Sequence, residues 1–261
     1  MKNGIAIVIN SEKDTQRREH MENMLKRFEI EHQFLTATQV NALSDATIAR
    51  YGSPVAESAL RSIACAASHI SAWKAFLLTD NRTCLVLEDD IRFYEKFDEF
   101  WGEFEIPDNQ FELWKIESCN ATCTVSLDSF LECKNVTFHQ LHGSHAATGA
   151  YVINRKTARF LVDLSDDFSG YIDHELFDPF KRTVPMCRTL QAVPALCIQD
   201  DNYSAHPVFN STIGDDRNPD KAALGNRLRR RFISPLITSM VSFAISYQGL
   251  KRIKINHLPV V

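Results

Sequence analysis

Three consecutive acidic residues, Glu88, Asp89 and Asp90, directly follow an apolar run over residues 84–87. This pattern is typical of a buried strand whose end lies at a ligand-binding edge of a sheet. Adjacent carboxylates repel one another, so they ionise together most readily when a cation lies beside them. Mn²⁺ and Mg²⁺ prefer oxygen ligands and bridge protein carboxylates to phosphates. The residues alone leave two interpretations open: a solvated strand end, or a divalent-cation site.

Polar residues near the start of the chain are further candidates for ligand binding. Asn10 and Ser11 follow a first apolar run, at the same predicted sheet edge as the acids. Arg17 and Arg18 can reach a diphosphate or form surface ion pairs.

A small-residue segment carries a further pair of candidates. Ser68 and His69 lie in residues 59–80, where small side chains favour either close approach to a ligand or tight packing on a sheet.

The elements that must position these residues alternate between strands and helices. Residues 5–9 are predicted to form a strand, and Ser11 is predicted to cap the helix that follows. This helix has one apolar face, formed by Met21, Met24, Leu25 and Phe28. Further predicted strands lie at 32–38, 83–87, 111–118, 136–141, 148–153 and within 189–199, and further helices at 59–80, 154–164 and within 171–180. The opening β-α-β order predicts a parallel sheet.

Composition limits the class of protein. The chain has 261 residues, 44% of them hydrophobic, which is enough for one large α/β domain with an extension. Its net charge of −4 argues against general nucleic-acid binding. The seven cysteines are irregularly spaced and predict reduced thiols, and Cys119 and Cys123 lack the second close pair of a zinc finger. The first apolar run is too short for a signal peptide, so a cytoplasmic protein is expected.

Charge divides the chain after residue 224. Residues 225–261 contain seven Lys and Arg and no acid, and residues 236–249 form an amphipathic helical pattern between two basic clusters. This predicts two parts: a domain over 1–224 and a basic amphipathic helical extension over 225–261. The extension fits peripheral attachment to an anionic membrane. Packing of the same helix on the domain is the alternative.

The order of several segments resembles glycosyltransferase family 25, the lipooligosaccharide galactosyltransferase group. These segments are "IVINSEKDTQRREHM", "SIACAASHISAWKAF", "LVLEDDI", "GSHAATGAYVINRKTARFLVD", "IDHELF" and "VPALCIQDD". Two positions depart from the family pattern: Ala64 stands where glycine is usual, and "HAATGAY" is longer than the usual form, which leaves the role of His145 open. The resemblance implies a GT-A-like, Rossmann-like mixed sheet flanked by helices.

The resemblance also implies a reaction and a set of site residues. The reaction is inverting transfer of galactose from UDP-galactose to a lipooligosaccharide core acceptor. Such an acceptor is lipid-linked at the cytoplasmic face of the inner membrane, where the basic residues of the extension are expected to hold the enzyme. Mn²⁺ or Mg²⁺ is expected on Asp90 with support from Asp89, and Glu88 is expected to face the ribose. The predicted donor-binding residues are Asn10, Ser11, Arg18, Ser68, His69, Glu88, Asp89 and His145.

Inversion requires one general base, for which Asp173 and Glu175 are the candidates, with Asp173 preferred. Helix-terminal acids without a catalytic role are the alternative interpretation of this pair. His174 is a lesser candidate for an acceptor contact, and Asp200, Asp201 and His206 for a second metal ligand. Two alternative functions remain: transfer of glucose or an N-acetylhexosamine by the same fold, and a non-catalytic membrane-associated scaffold.

Overall fold

Helices and strands alternate along the first part of the chain, as the sequence pattern predicts. The structure, a computed structural model, describes residues 4–51, 57–103, 111–143, 145–168, 171–178, 181, 183–203, 250–256 and 260. The strands are β1 (Gly4–Asn10), β2 (His32–Thr36), β3 (Thr83–Glu88), β4 (Ile91–Phe93), β5 (Glu112–Lys115), β6 (Glu117–Ser118), β7 (Thr122–Ser126), β8 (Leu131–Cys133), β9 (Val136–Gln140), β10 (Ala150–Asn154), β11 (Arg188–Val193), β12 (Cys197–Gln199) and β13 (Leu250–Lys254). The helices are α1 (Thr15–Arg27), α2 (Asp45–Ala49), α3 (Glu57–Leu77), α4 (Phe97–Glu103), α5 (Arg155–Leu164), α6 (Ile172–Phe177), α7 (Thr183–Met186) and α8 (Asp200–Tyr203).

The main sheet of the described residues is mixed, with strand order β2-β1-β3-β10-β5-β11-β9-β8. Strands β2, β1 and β3 are parallel, which confirms the predicted β-α-β start. Strand β10 enters antiparallel between β3 and β5. Two smaller sheets, β4-β12-β6 and β13-β7, lie beside it. This arrangement confirms the predicted α/β class with a mixed sheet flanked by helices.

Side-chain alternation along β1 places helices on both faces of the sheet. Ala6 and Val8 join the apolar cluster that contains Met21, Met24, Leu25 and Phe28, so the predicted face of α1 is confirmed. Ile5, Ile7 and Ile9 join the cluster of α3 and α5 on the other face. Because successive strand residues point to opposite sides, one strand supports both helical layers.

Some predicted boundaries are wrong. Ser11 does not cap α1: the helix begins at Thr15, and the Ser11 carbonyl accepts a hydrogen bond from the Asp14 amide at 2.9 Å, so a turn comes first. The predicted strand over 111–118 divides into β5 and β6. The last predicted strand, within 189–199, divides into β11 and β12. Strands β6 and β12, the second halves of these two predicted strands, both belong to the small sheet with β4.

The end of the chain returns to the domain. Strand β13 pairs antiparallel with β7, Ile255 is fully buried, and its carbonyl accepts a hydrogen bond from the Ser118 hydroxyl at 2.7 Å. Residues 250–254, part of the predicted helical extension, thus form a strand. Residues 204–249 lie outside the described residues, so the helix over 236–249 and the boundary after residue 224 stay predictions. Within the described ranges, every helix is too short or too polar to cross a bilayer.

Candidate active site

The ends of β1 and β3 bring Asn10 beside the three acids. These strands are parallel, and Ile9 is paired with Glu88, so the next residue of each chain segment lies at the same edge. Asn10 Nδ2 donates a hydrogen bond to Asp89 Oδ2 at 2.8 Å. Both side chains are buried. The predicted meeting of Asn10 with the acidic run at this edge is therefore seen in the structure.

The acids diverge at the end of β3, where Glu88 is the last strand residue and Asp89 and Asp90 form the turn that follows. Leu85 and Leu87 pack on the α1 side, and the next residue of that series, Asp89, receives a hydrogen bond from Arg17 Nη1 at 2.7 Å. Cys84 and Val86 pack on the α3 side, and Glu88 continues that series. Glu88 thus faces α3 and Asp89 faces α1.

On the α3 side, the Glu88 carboxylate meets His69. Glu88 Oε1 lies 3.4 Å from His69 Nε2, and it also accepts a hydrogen bond from the Thr148 hydroxyl at 3.3 Å. Burial acts to raise the pKa of Glu88, but the hydrogen bonds and charges of its neighbours outweigh it and hold that pKa below the ordinary value.

Glu88 and Asp90 converge on one amide group. Gln199 Nε2 lies 3.1 Å from Glu88 Oε2 and 3.4 Å from Asp90 Oδ1. Burial, followed by the charge of Glu88, raises the pKa of Asp90 to about 8, although Arg17 Nη1 lies 3.7 Å from Asp90 Oδ2. Two carboxylates that share one weak donor in a buried position are suited to a hard divalent cation.

A divalent cation therefore fits this group of residues, with one difference from the predicted ligand set. Asp90 and Glu88 point oxygens toward a common point, whereas Asp89 is engaged by Asn10 and Arg17. In this structure Glu88, rather than Asp89, is the carboxylate that lies next to Asp90 across Gln199.

The paired arginines have different surroundings. Arg17 is buried against the acids, while Arg18 is exposed and its guanidinium lies 4.0 Å from the centre of the Phe34 ring. Adjacent residues of a helix point about 100° apart, so only one of the pair can face the strand ends. The structure brings Arg17 to the acidic group, where the sequence interpretation favoured Arg18.

Of the two candidates on α3, only His69 contacts an acid. Ser68 Oγ accepts a hydrogen bond from the Thr38 amide at 2.8 Å and donates one to the Ala64 carbonyl at 2.8 Å, so it joins α3 to the segment after β2. His69 is fully buried, and its Nδ1 lies 2.9 Å from the Tyr151 hydroxyl.

A buried ion pair supports the segment before β10. Lys115 and Glu117 have fully buried side chains, and Lys115 Nζ lies 2.7 Å from Glu117 Oε1 and also donates to the Ala147 carbonyl. Ala147 has a φ of 71°, a strained value for a residue with a Cβ. Sequence reasoning missed this pair and Gln199. The signal for the pair was present, because Lys115 and Glu117 interrupt the apolar strand pattern of "FELWKIES".

His145 begins the same segment and is held neutral. It is buried, its Nδ1 lies 2.9 Å from the Ala146 carbonyl, and its Nε2 has no hydrogen-bond partner. Burial, assisted by the charge of Lys115, lowers the pKa of His145 to about 3.

The candidate bases on α6 differ in their availability. Asp173 Oδ2 accepts a hydrogen bond from the Ala147 amide at 3.4 Å, and its charge contributes, after burial and Glu88, to the raised pKa of Cys65. Asp173 is therefore close to the acidic group. Glu175 is buried in an ion pair with Lys181 at 2.7 Å.

The lesser candidates lie in different places. Asp200 is buried and paired with Arg92, and its amide donates to the Asp90 carbonyl at 2.9 Å. Asp201 and His174 are exposed. His206 lies outside the described residues.

Known proteins resemble this chain. Residues 5–176 match the family described as glycosyltransferase family 25 (LPS biosynthesis protein). The lacto-N-neotetraose biosynthesis glycosyltransferase LgtE of Neisseria gonorrhoeae is 29% identical over 178 residues, which are 64% of this chain and 62% of LgtE. LgtB of Neisseria meningitidis serogroup B is 29% identical over 188 residues, 67% of this chain and 66% of LgtB. The chain thus spans slightly less than two thirds of the length of these relatives.

A solved structure is also similar. It is a glycosyltransferase involved in the glycosylation of the major capsid of PBCV-1, and the match has a TM-score of 0.42 and 9% identity over 75% of this chain and 91% of that chain.

Proposed function

The chain belongs to glycosyltransferase family 25, and from this premise we propose that it transfers galactose from UDP-galactose to a lipooligosaccharide core acceptor with inversion. The observation that carries the proposal is the meeting of Asn10, Arg17 and three carboxylates at the carboxyl end of parallel strands. Nucleotides bind at this edge in open α/β sheets. The names of LgtE and LgtB, both glycosyltransferases of lacto-N-neotetraose biosynthesis, support the class of acceptor.

Transfer from UDP-galactose requires that the negative charge of the departing UDP be stabilised. The bond to the diphosphate breaks as the hexose is transferred, so negative charge grows on UDP. Asp90, with Glu88 or Asp89, would hold Mn²⁺ or Mg²⁺, and this cation would supply the positive charge that offsets the leaving group. Arg17 already compensates Asp89 and Asp90, and so keeps this acidic edge compatible with an anionic donor.

The remaining donor contacts follow from position. Asn10 ends β1 beside the acids and Ser11 follows it, so both would contact the nucleoside. His69 and Thr148 orient Glu88, which would then face the ribose hydroxyls. His145, held neutral with its Nδ1–H on the Ala146 carbonyl, would accept a hydrogen bond from a donor hydroxyl at Nε2 without bringing a second positive charge.

Asp173 would act as the general base. An inverting transfer needs one carboxylate that takes the proton from the acceptor hydroxyl as that oxygen attacks. Backbone amides of Ala147 and His174 hold the two Asp173 oxygens, and the side chain is only half-buried. Glu175 is the weaker candidate because its carboxylate is already paired with Lys181.

The acceptor would be lipid-linked, at the cytoplasmic face of the inner membrane. The basic residues of 225–261 would hold the enzyme to anionic lipid by electrostatic attraction. In the described part of this segment, Arg252 and Lys254 are exposed.

The first experiment is thermal unfolding of the full chain with UDP-galactose, UDP-glucose and UDP-N-acetylhexosamines, each with and without Mn²⁺. UDP-galactose at 100 times its Kd should stabilise the fold by about 2.7 kcal/mol. For a domain of this size that corresponds to a Tm rise of about 5–10 °C. We expect this rise only with the metal, and we expect radiolabelled galactose transfer under the same conditions.

Two variants make the result specific. Asp90→Asn should abolish the metal-dependent shift and the transfer while the apo Tm stays equal or rises. Asp128→Asn, which changes an exposed acid, should behave as wild type. If another UDP-sugar gave the metal-dependent Tm shift, the proposed metal-dependent mechanism would stand, but the transferred sugar would be different. If no nucleotide shifted the Tm, the proposal would be wrong and a scaffold role would replace it.

A further inference from the structure

A group of three different ligand types lies beside the acidic edge. Cys65 and His69 are one helical turn apart on α3, so their side chains share a face. Their ligand atoms and a Glu88 carboxylate oxygen all lie within 4.8 Å of one another. We propose that Cys65, His69 and Glu88 form a second cation site, for a borderline-soft divalent ion of the Zn²⁺ type.

The spacing within the group also fits a pair of zinc ligands. His69 Nε2 and Glu88 Oε1 are 3.4 Å apart. A charge-assisted N–H to carboxylate hydrogen bond is shorter, about 2.7–2.9 Å. Two ligands on a tetrahedral zinc, with bonds of about 2.1 Å each, lie about 3.4 Å apart. The imidazole and the carboxylate therefore already have the separation that the ion requires.

The neighbours of His69 orient its ring for this role. Nδ1 faces the Tyr151 hydroxyl at 2.9 Å, and this hydroxyl accepts a hydrogen bond from Trp73 Nε1 at 2.8 Å. When a cation binds Nε2, the ring proton lies on Nδ1, where the Tyr151 oxygen is placed to accept it. A ligating histidine characteristically donates its other ring N–H to such a partner.

The types of metal ligand distinguish this site from the one at Asp90. A thiolate, an imidazole and one carboxylate suit Zn²⁺, whereas Mn²⁺ and Mg²⁺ favour oxygen ligands. Glu88 can serve both sites, because Oε1 faces His69 and Oε2 faces Gln199 beside Asp90. Burial and the charges of Glu88, Asp173 and Asp90 raise the pKa of Cys65, so a bound cation would reverse the field that keeps this thiol protonated.

Cobalt(II) is the probe for the test, since it binds zinc sites and gives an intense near-ultraviolet band only when a thiolate is a ligand. The reduced, metal-free full chain should develop this band with one equivalent of Co²⁺, and Zn²⁺ should displace it. The assay needs no nucleotide and no turnover, so its result is independent of the function proposed above. Absence of the band in the wild-type chain would overturn the proposal.

The variants assign the ligands. Cys65→Ser should lose the band, whereas Cys133→Ser, at another half-buried cysteine, should keep it. Asp90→Asn should also keep it, because the oxygen site is separate. Tyr151→Phe should weaken Co²⁺ binding by about 10-fold or more, the usual effect of losing a partner behind a ligating histidine. A band that persists in Cys65→Ser would overturn the assignment.

A measurement on the wild-type chain tests the site without variants, which could fail to fold. Zn²⁺ should slow alkylation of Cys65, followed by mass spectrometry of its peptide, with the half-buried Cys119 as internal reference. Equal alkylation rates of Cys65 with and without Zn²⁺ would contradict the site.

Discussion

Arg17 compensates two neighbouring carboxylates in the interior. Its guanidinium lies 2.7 Å from Asp89 Oδ1 and 3.7 Å from Asp90 Oδ2, with all three side chains almost fully buried. A buried ion pair adds little net stability, but removal of one partner leaves a buried charge without compensation. Removal of Arg17 therefore tests whether the buried carboxylates depend on its positive charge.

Arg17→Ala should lower the free energy of unfolding by about 3–5 kcal/mol in EDTA. Arg18→Ala is the matched control, and the loss of its exposed contact with Phe34 should cost about 1 kcal/mol or less. Urea unfolding of the two variants measures the difference. Equal losses would mean that Arg17 has no special place among the acids.

His145 should make the protein sensitive to acid. Its folded pKa of about 3 lies below the ordinary value of 6.5, so below pH 6.5 the unfolded chain binds a proton that the folded chain does not. Its contribution to stability is thus present above pH 6.5 and is lost as pH falls toward 3, by up to about 1.4 kcal/mol per pH unit.

The measurement is urea unfolding between pH 7 and pH 4. His145→Gln should flatten this decline, and His174→Gln, at an exposed histidine, should leave it unchanged. An unchanged slope in His145→Gln would contradict a buried neutral imidazole.

At the scale of elements, the close contact between β3 and the start of β10 shapes the site. The Glu88 amide donates to the Gly149 carbonyl at 2.8 Å, and Thr148 contacts the Glu88 side chain. The buried ion pair of Lys115 and Glu117 supports the preceding segment through the Ala147 carbonyl. The position of Glu88 therefore depends on β10 and β5 as well as on its own strand.

Gly149→Ala should separate these elements. An added Cβ would lie 2.8 Å from Glu117 Oε2 and 2.8 Å from Ile91 Cδ1, so these buried side chains or the strand must shift, at a cost of about 1–3 kcal/mol. Gly102→Ala is the control: it has nothing within 4 Å and lies in α4, where alanine is favoured by up to about 1 kcal/mol. Opposite signs of the two changes in thermal unfolding are expected, and a neutral Gly149→Ala would refute the close contact.

At the scale of the whole molecule, the described C-terminal residues belong to the domain. Strand β13 completes a two-stranded sheet with β7, and Ile255 packs in the cluster that contains Cys123, Val125 and Leu141. The fold therefore joins residues more than a hundred positions apart in sequence, such as Ser118 and Ile255.

Ile255→Ala should destabilise the protein by about 2–5 kcal/mol, because it empties a fully buried position. Lys254→Ala, at the adjacent exposed position, should change stability by about 0.5 kcal/mol or less. Chemical unfolding compares the two. A small effect of Ile255→Ala would indicate that β13 contributes little to the domain.

The sequence by itself determined the family, the order of most elements and the edge at which Asn10 and the acids meet. Local periodicity specifies which residues form a strand or helix, and parallel strands bring their carboxyl ends to one edge. Only the tertiary structure decided that Arg17 rather than Arg18 reaches the acids, that Gln199 links Glu88 to Asp90, and that Lys115 pairs with Glu117 in the interior. These contacts depend on the rotation of a helix about its axis and on strands distant in sequence, which local patterns do not specify.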